Sequence, residues 1–326
     1  MMYTPDSEAI LLLCSHLGLS SDSDLAPLTL KNWNPLARKL QAASMRPADL
    51  LNITLTDLQK RLELPEEDWQ RISRLLQRSQ SLKIELDRLA SLGINVLTRS
   101  DKEYPARYRQ RLKEAAPSVL FYAGEKELLG QPGIAVVGSR HLDDAGQSCA
   151  EFVGNACGLS GLVLYSGGAK GVDKISMNAA ISARGTAVNI LADSLERAIR
   201  DPGYRAVLQR GDICLVTPYS PNAPFSVGTA MGRNKLIYTL ADYAIVVASD
   251  AEKGGTWAGA TEALKAKWLP VFILQHPAMP EGNQMLLQKG GLKFPHPFPE
   301  HPLNLKVWLD NESAQIKPES FQPGLF

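Results

Sequence analysis

Residues 162–191 read LVLYSGGAKGVDKISMNAAISARGTAVNIL. Leu162 to Tyr165 is a short apolar run of strand type, and it ends in a glycine-rich turn. Asp173 to Arg184 then carries helical spacing, and Thr186 to Leu191 is a second apolar run. Strand, turn, helix and strand in that order predict a right-handed crossover between two parallel strands. The same alternation extends on both sides. Ile134 to Val137 is predicted as an earlier strand, followed by a helix that Asp143 or Asp144 can cap and that runs to about Leu159. Downstream, strands are predicted at 212–216, 243–247 and 270–274. Helices are predicted near 204–209, 230–240 and 256–267. Strands alternating with helices over Gly133 to Gln275 predict an α/β core, a mostly parallel sheet with helices on both faces. Ligands in such sheets bind beyond the carboxyl ends of the strands.

Upstream of this core the pattern is helical. Residues 1–88 contain apolar turn series at 8–17, 33–43 and 56–62. Pro65-Glu66-Glu67-Asp68 then opens a helix expected to run through Trp69, Ile72 and Leu75 to Leu89. The segment reads as a small all-helical domain of the SAM or helix-hairpin-helix kind. Its 11 basic and 12 acidic residues do not favour DNA. A plain helical cap without a ligand is the alternative. The core is expected over 89–294, and the Pro-rich tail, 295–326, is expected to be irregular. In the lead-in to the core, Arg107, Arg109, Arg111 and Lys113 alternate in a way that shares no helix face, so a solvated surface is expected there, with a phosphate contact as the alternative.

The chain has 326 residues, 44% hydrophobic and 21% charged, with 35 Lys and Arg against 34 Asp and Glu. A net charge of +1 excludes a bulk polycation, so any nucleic-acid contact must come from a local patch. No apolar run approaches the roughly 18 residues of a membrane span. The start, MMYTPDSEA, lacks a basic region before an apolar stretch, so a cytoplasmic location and no membrane contact are expected. The cysteines (Cys14, Cys149, Cys157 and Cys214) form no C-x-x-C pair and read as buried thiols. The five histidines show no metal-ligand spacing, and neither a metal nor a cofactor is expected.

Four pieces fall where a ligand would bind. The first strand is followed by Gly138-Ser139-Arg140: a tight turn, a hydroxyl and a bidentate cation. Ser166-Gly167-Gly168-Ala169-Lys170-Gly171-Val172-Asp173 follows the second. Its glycines permit a nest of backbone N–H groups at a helix start, and Lys170 adds charge, so the loop suits phosphate. A tight βα turn without a ligand is the alternative. The loop is neither G-x-x-x-x-G-K-S/T nor G-x-G-x-x-G, which argues against ATP hydrolysis and against a dinucleotide. Lys253-Gly254-Gly255-Thr256-Trp257-Ala258-Gly259 forms a third loop, between a strand and a helix, with Thr256 as expected cap. Arg233-Asn234-Lys235, at an expected helix start, suits an anion or a base edge. Tyr219 and Phe225 in the preceding loop are candidate stacking residues and equally candidate core residues.

Taken together, these motifs resemble the DprA/Smf family of DNA-processing proteins. Residues 92–105 (LGINVLTRSDKEYP), 116–124 (APSVLFYAG), 134–140 (IAVVGSR), 166–173 and 232–237 (GRNKLI) carry the likeness. It covers roughly 90–292 and implies a Rossmann-like core. The chain departs from the family pattern at Met177, where a His is common, at Gly232 and Lys235 in an R-R-N-R segment, and at GGTWAGA (254–260). These departures mark a divergent branch, and the tail is short for the winged-helix domain of many members. The resemblance implies a non-catalytic single-stranded DNA binder in DNA uptake and recombination. It also implies a homodimer and RecA as the partner that is loaded. Arg140, Lys170, Arg233 and Lys235 would then contact phosphates.

Two other functions are open from the sequence. A nucleotide sensor or LOG-type nucleotide phosphoribohydrolase would use Gly167, Gly168, Gly171 and the 254–256 loop, with Glu262 as carboxylate. A structural part of a phage-defence or recombination assembly would leave no motif of its own.

Overall fold

The computed structural model describes residues 3–20, 24–298 and 300–314, which divide by internal contacts after residue 122 into two units. The first unit carries helices α1 (Pro5–Cys14), α2 (Leu30–Ala42), α3 (Leu55–Leu62), α4 (Glu66–Leu76), α5 (Ser79–Ser91) and α6 (Ala106–Leu112). Strands β1 (Asn95–Thr98) and β2 (Val119–Gly124) pair antiparallel, with Thr98 opposite Val119. Thr4 caps α1, its hydroxyl accepting from the Ser7 N–H at 3.2 Å. Ala9 to Leu13 are all buried. A helix apolar on every side belongs at the centre of its unit, and α1 contacts α4, α5 and β1.

One helix was expected from Pro65 to Leu89, and the structure breaks it into α4 and α5 at Gln77–Arg78. The cause is Arg78, which turns inward and is buried. Its guanidinium donates to the carbonyls of Leu17 (2.7 Å), Leu75 (3.1 Å) and Leu12. Leu12 lies in the last turn of α1, whose carbonyls have no partner inside that helix. The basic stretch also differs from expectation. Arg109 is half-buried rather than solvated; it donates to the Arg99 carbonyl at 2.8 and 3.1 Å and lies 5.1 Å from the centre of the Tyr104 ring.

The second unit is the parallel core. Its strands are β3 (Gly133–Val137), β4 (Val163–Ser166), β5 (Ala187–Ile190), β6 (Ile213–Thr217), β7 (Tyr243–Val246), β8 (Val271–Gln275) and β9 (Leu292–Pro295). They lie in the order β6-β5-β4-β3-β7-β8-β9, and each neighbouring pair is parallel. The helices are α7 (Asp144–Ser160), α8 (Val172–Ser182), α9 (Leu195–Ala198), α10 (Pro202–Arg210), α11 (Val227–Leu240), α12 (Gly254–Ala266), α13 (Glu281–Gln288) and α14 (Leu305–Ser313). From β3 the chain first builds the sheet outward one way, through β4, β5 and β6. It then returns to β7 and builds the other way. Right-handed crossovers therefore place helices on opposite faces; α7 packs on α8, and α11 on α12. With both faces covered, every residue of β3 to β6 is buried. Burial in this core pushes the thiols of Cys149 and Cys157 up to about 12. The point where strand order reverses, between β3 and β7, is where such a sheet opens a crevice for ligands.

The tail is not irregular throughout. After Pro302 the apolar spacing Leu305, Trp308, Leu309 builds α14. Trp308 packs at 5.3–5.7 Å against the rings of Phe272, Phe294 and Phe298, and the Tyr243 hydroxyl donates to Asp310. Residues 315–326 of that tail lie outside the described residues. No helix among the described residues is long and apolar enough to cross a membrane.

Candidate functional site

At the reversal point three strand-to-helix loops and one helix enclose a cleft of about 420 Å³. The β3–α7 loop supplies Gly138, Ser139, Arg140 and His141. The β4–α8 loop supplies Ala169, with Asp173 just beyond it. Asp250 and Lys253 come from the β7–α12 connection, Gly254 to Thr256 from the first turn of α12, and Arg233, Asn234 and Ile237 from α11.

Glycine is needed where two of these loops meet. Gly171 has φ +82°, and a Cβ there would lie 2.6 Å from the Ser139 carbonyl oxygen. The Ser139 N–H donates to the Ala248 carbonyl at 2.8 Å, which joins the β3 loop to the end of β7. The glycine-rich β4 loop holds a carboxylate of its own. Asp173 is buried, and its Oδ2 accepts from the N–H groups of Gly167 and Ala169, both at 3.2 Å. Two amides expected to face a phosphate therefore face Asp173. Burial raises the Asp173 pKa, and the charge of Arg233 opposes that shift first.

Arg233 is the second departure from expectation. It is only 7% exposed, and its Nη1 donates to the carbonyls of Gly167 (2.6 Å) and Ile190. A Cβ on Gly167 would lie 2.2 Å from that nitrogen. Arg233 thus braces the β4 loop from behind. Its segment was expected at a helix start, but α11 begins earlier. Ser226 and Thr229 form a reciprocal cap, each side chain accepting from the other's N–H at 3.0 Å, as in a capping box. Asn234 faces the cleft and donates to the Gly255 carbonyl at 3.0 Å, whereas Lys235, one position on, does not line it.

The other expected residues divide in the same way. Arg140 is exposed on the cleft wall. Lys170 is exposed beside Ala169 but outside the lining. The Ser166 hydroxyl is buried and donates to the Val136 carbonyl at 2.8 Å, tying β4 to β3. Gly168 lies against the Tyr204 hydroxyl and Asn189, and Asn189 also donates to the Met177 sulfur at 3.0 Å. Thr256 is not a cap: Lys253 holds that position, and Gly254, Gly255 and Thr256 form the first turn of α12. Their N–H groups have no partner within the helix. Glu262 is exposed further along α12 and does not line the cleft. Tyr219 donates to the Thr229 carbonyl at 2.9 Å and fastens its loop. Phe225 is 52% exposed at the cleft rim.

Sequence reading missed Val227 and Met231, exposed by 74% and 42%, which extend the apolar wall begun by Phe225. It also left out His141 and Asp250, whereas Lys253 was read as the start of the third loop. The signal for the wall was the Ser226-x-x-Thr229 cap, which places 227 and 231 one turn apart on one helix face. Among the described residues no group of three His, Cys, Asp or Glu could hold a metal ion.

A family model described as DNA recombination-mediator protein A matches residues 95–294. DNA processing protein DprA of Bacillus subtilis is 28% identical over 179 residues, which cover 53% of this chain and 58% of that protein. Protein Smf of Synechocystis is 27% identical over 167 residues, covering 48% and 40%. The chain thus spans about half the length of these relatives. The X-ray structure of DNA processing protein A from Streptococcus pneumoniae aligns with a TM-score of 0.67 at 18% identity, covering 98% of this chain and 100% of that one. The DNA processing protein A of Helicobacter pylori, a structure described for its single-stranded DNA binding mode, aligns with a TM-score of 0.54 at 22% identity, covering 68% and 96%. Both likenesses concern the fold.

Proposed function

The chain belongs to the DNA recombination-mediator protein A family, and on that premise we propose that the cleft between β3 and β7 binds single-stranded DNA. The carrying observation is the pairing of its walls. One side presents exposed Arg140 and Lys253 with the first turn of α12. The other presents exposed Phe225, Val227 and Met231. Single strands offer phosphates and open base faces together, and a duplex hides the faces. The Helicobacter pylori relative, described as binding single-stranded DNA, supports the same reading. The core over 89–294 would hold the DNA, with residues 1–88 as a separate domain before it. Within the site Arg140, Lys253 and Lys170 meet phosphate, while Asp173 and Arg233 shape the loop.

Homodimer formation and the loading of RecA are the finer parts of this reading, and family membership supports them. Light scattering that shows a monomer would remove the first. RecA filament growth that is indifferent to the protein would remove the second.

Lys170 offers a clean test, because it is exposed and makes no ion pair among the described residues. Lys170→Glu is expected to weaken single-stranded DNA binding about tenfold at low salt and to flatten the salt slope by about 0.7, one contact's worth. Its melting temperature should stay near that of the wild type, since exposed charges contribute only about 0–1 kcal/mol. Fluorescence anisotropy at two salt concentrations, with a thermal scan, reads all three. Normal folding with unchanged affinity would show that the strand does not pass beside the β4–α8 loop.

The cleft volume of about 420 Å³ favours one second reading, a bound nucleotide. The phosphoribohydrolase form of it loses its carboxylate, because Glu262 lies outside the lining. Incubation with nucleoside monophosphates separates the two: released base would support hydrolysis, and binding without release would support a sensor.

A further inference from the structure

Asn283 is fully buried at the third position of α13. Its Nδ2 donates to the carbonyls of Val247 and Leu274, each at 3.0 Å, and its Oδ1 accepts from the Ser249 N–H at 2.9 Å. The parallel ladder between β7 and β8 ends with Val246 beside Ile273. Val247, just past β7, and Leu274, the next residue of β8, follow that pair, so the amide bonds across the gap where the ladder stops. A planar amide supplies two donors and an acceptor at once. Its opposite orientation would aim a carbonyl oxygen at two others. The neighbour, Gly282, is pressed against the same segment: a Cβ there would lie 2.2 Å from the Ser249 carbonyl oxygen and 2.6 Å from Asp250.

The segment so held is the start of the β7–α12 connection, which supplies Asp250 and Lys253 to the cleft. Its inner side is tied to β3, with the Val247 N–H donating to the Val137 carbonyl at 2.9 Å. We propose that Asn283, outside the cleft lining, is a positioning residue for it: by clamping Val247, Ser249 and Leu274 it sets where the connection leaves the sheet. It thereby sets where Lys253 and the first turn of α12 meet phosphate. This inference rests on the reading that the cleft binds single-stranded DNA.

A double-mutant cycle on the full chain tests it. Single-stranded oligonucleotide affinity is measured by anisotropy at a temperature where circular dichroism shows every variant folded. Asn283→Ala is expected to weaken binding about tenfold in the wild-type background and about threefold or less with Lys253→Ala, because a residue that acts through a partner couples to it. With Phe225→Ala, on the opposite wall of the cleft and away from the segment that Asn283 holds, the tenfold loss should remain. An equal loss in all backgrounds, or none in the wild type, overturns the proposal. If Asn283→Ala does not fold, Gly282→Ala takes its place in the cycle, since it displaces the same segment from the same helix. If neither Lys253→Ala nor Phe225→Ala weakens binding, the cleft reading itself falls, and the positioning role falls with it.

Discussion

Arg233→Ala is expected to lower the melting temperature by roughly 10 °C and to abolish single-stranded DNA binding. Arg233 is 7% exposed, and its guanidinium holds the carbonyls of Gly167 and Ile190. It is also the first charge opposing the burial of Asp173. Removing it leaves buried carbonyls without their donor and a buried carboxylate without its opposing charge, at a cost of about 3 kcal/mol. For a unit of about 200 residues, that cost corresponds to the expected shift. Arg233→Lys should recover part of the loss, because both carbonyls accept from one nitrogen, Nη1, and an ammonium keeps the charge with three donors. The Arg233 and Lys170 variants are thus expected to differ in kind: one loses stability and binding together, the other only binding affinity. A melting temperature within a degree of wild type for Arg233→Ala would show that the brace carries no weight.

The paired charge reversal Arg140→Glu with Lys253→Glu should produce the largest loss of affinity without a loss of fold. Both side chains are exposed and line the cleft from different loops. Each reversal removes one phosphate contact and adds a repulsion, so together they should cost about 100-fold at low salt. They should also flatten the salt slope by about 1.4. Thermal stability should move by less than about 1 kcal/mol. Anisotropy across a salt series, beside a thermal scan, checks both. A double variant that binds as tightly as wild type would exclude this cleft.

The legible part of the fold was the part with a repeating physical cause. Strands buried on both faces show as apolar runs, so β3 to β8 stand out, and a parallel sheet follows from the helices between them. β9 (Leu292–Pro295) was not legible, because its residues are largely half-exposed and it contains a Lys and a Pro. The break at Arg78 was hidden because the apolar rhythm continues through it; its cause is a long-range contact with the carbonyls of Leu12 and Leu17. In the site, the sequence located the loops but not the direction of their side chains. Arg140 and Arg233 look alike as basic residues within two positions of a glycine, yet one faces solvent and the other a pair of backbone carbonyls. The amides of Gly167 and Ala169 fit a phosphate nest by composition, and Asp173, four residues from Ala169, takes them. The apolar wall of Val227 and Met231 depended on where α11 begins, which the Ser226–Thr229 cap decides.

The central claim is that single-stranded DNA lies in the cleft between the basic wall and Phe225. Ultraviolet cross-linking of an oligothymidylate to the protein, followed by peptide mapping, tests it most directly. The cross-linked peptides should contain Phe225 and its neighbours up to Met231, and Phe225→Ala should remove most of the product. Cross-links confined to residues N-terminal to position 92, with Phe225→Ala cross-linking as wild type, would contradict it.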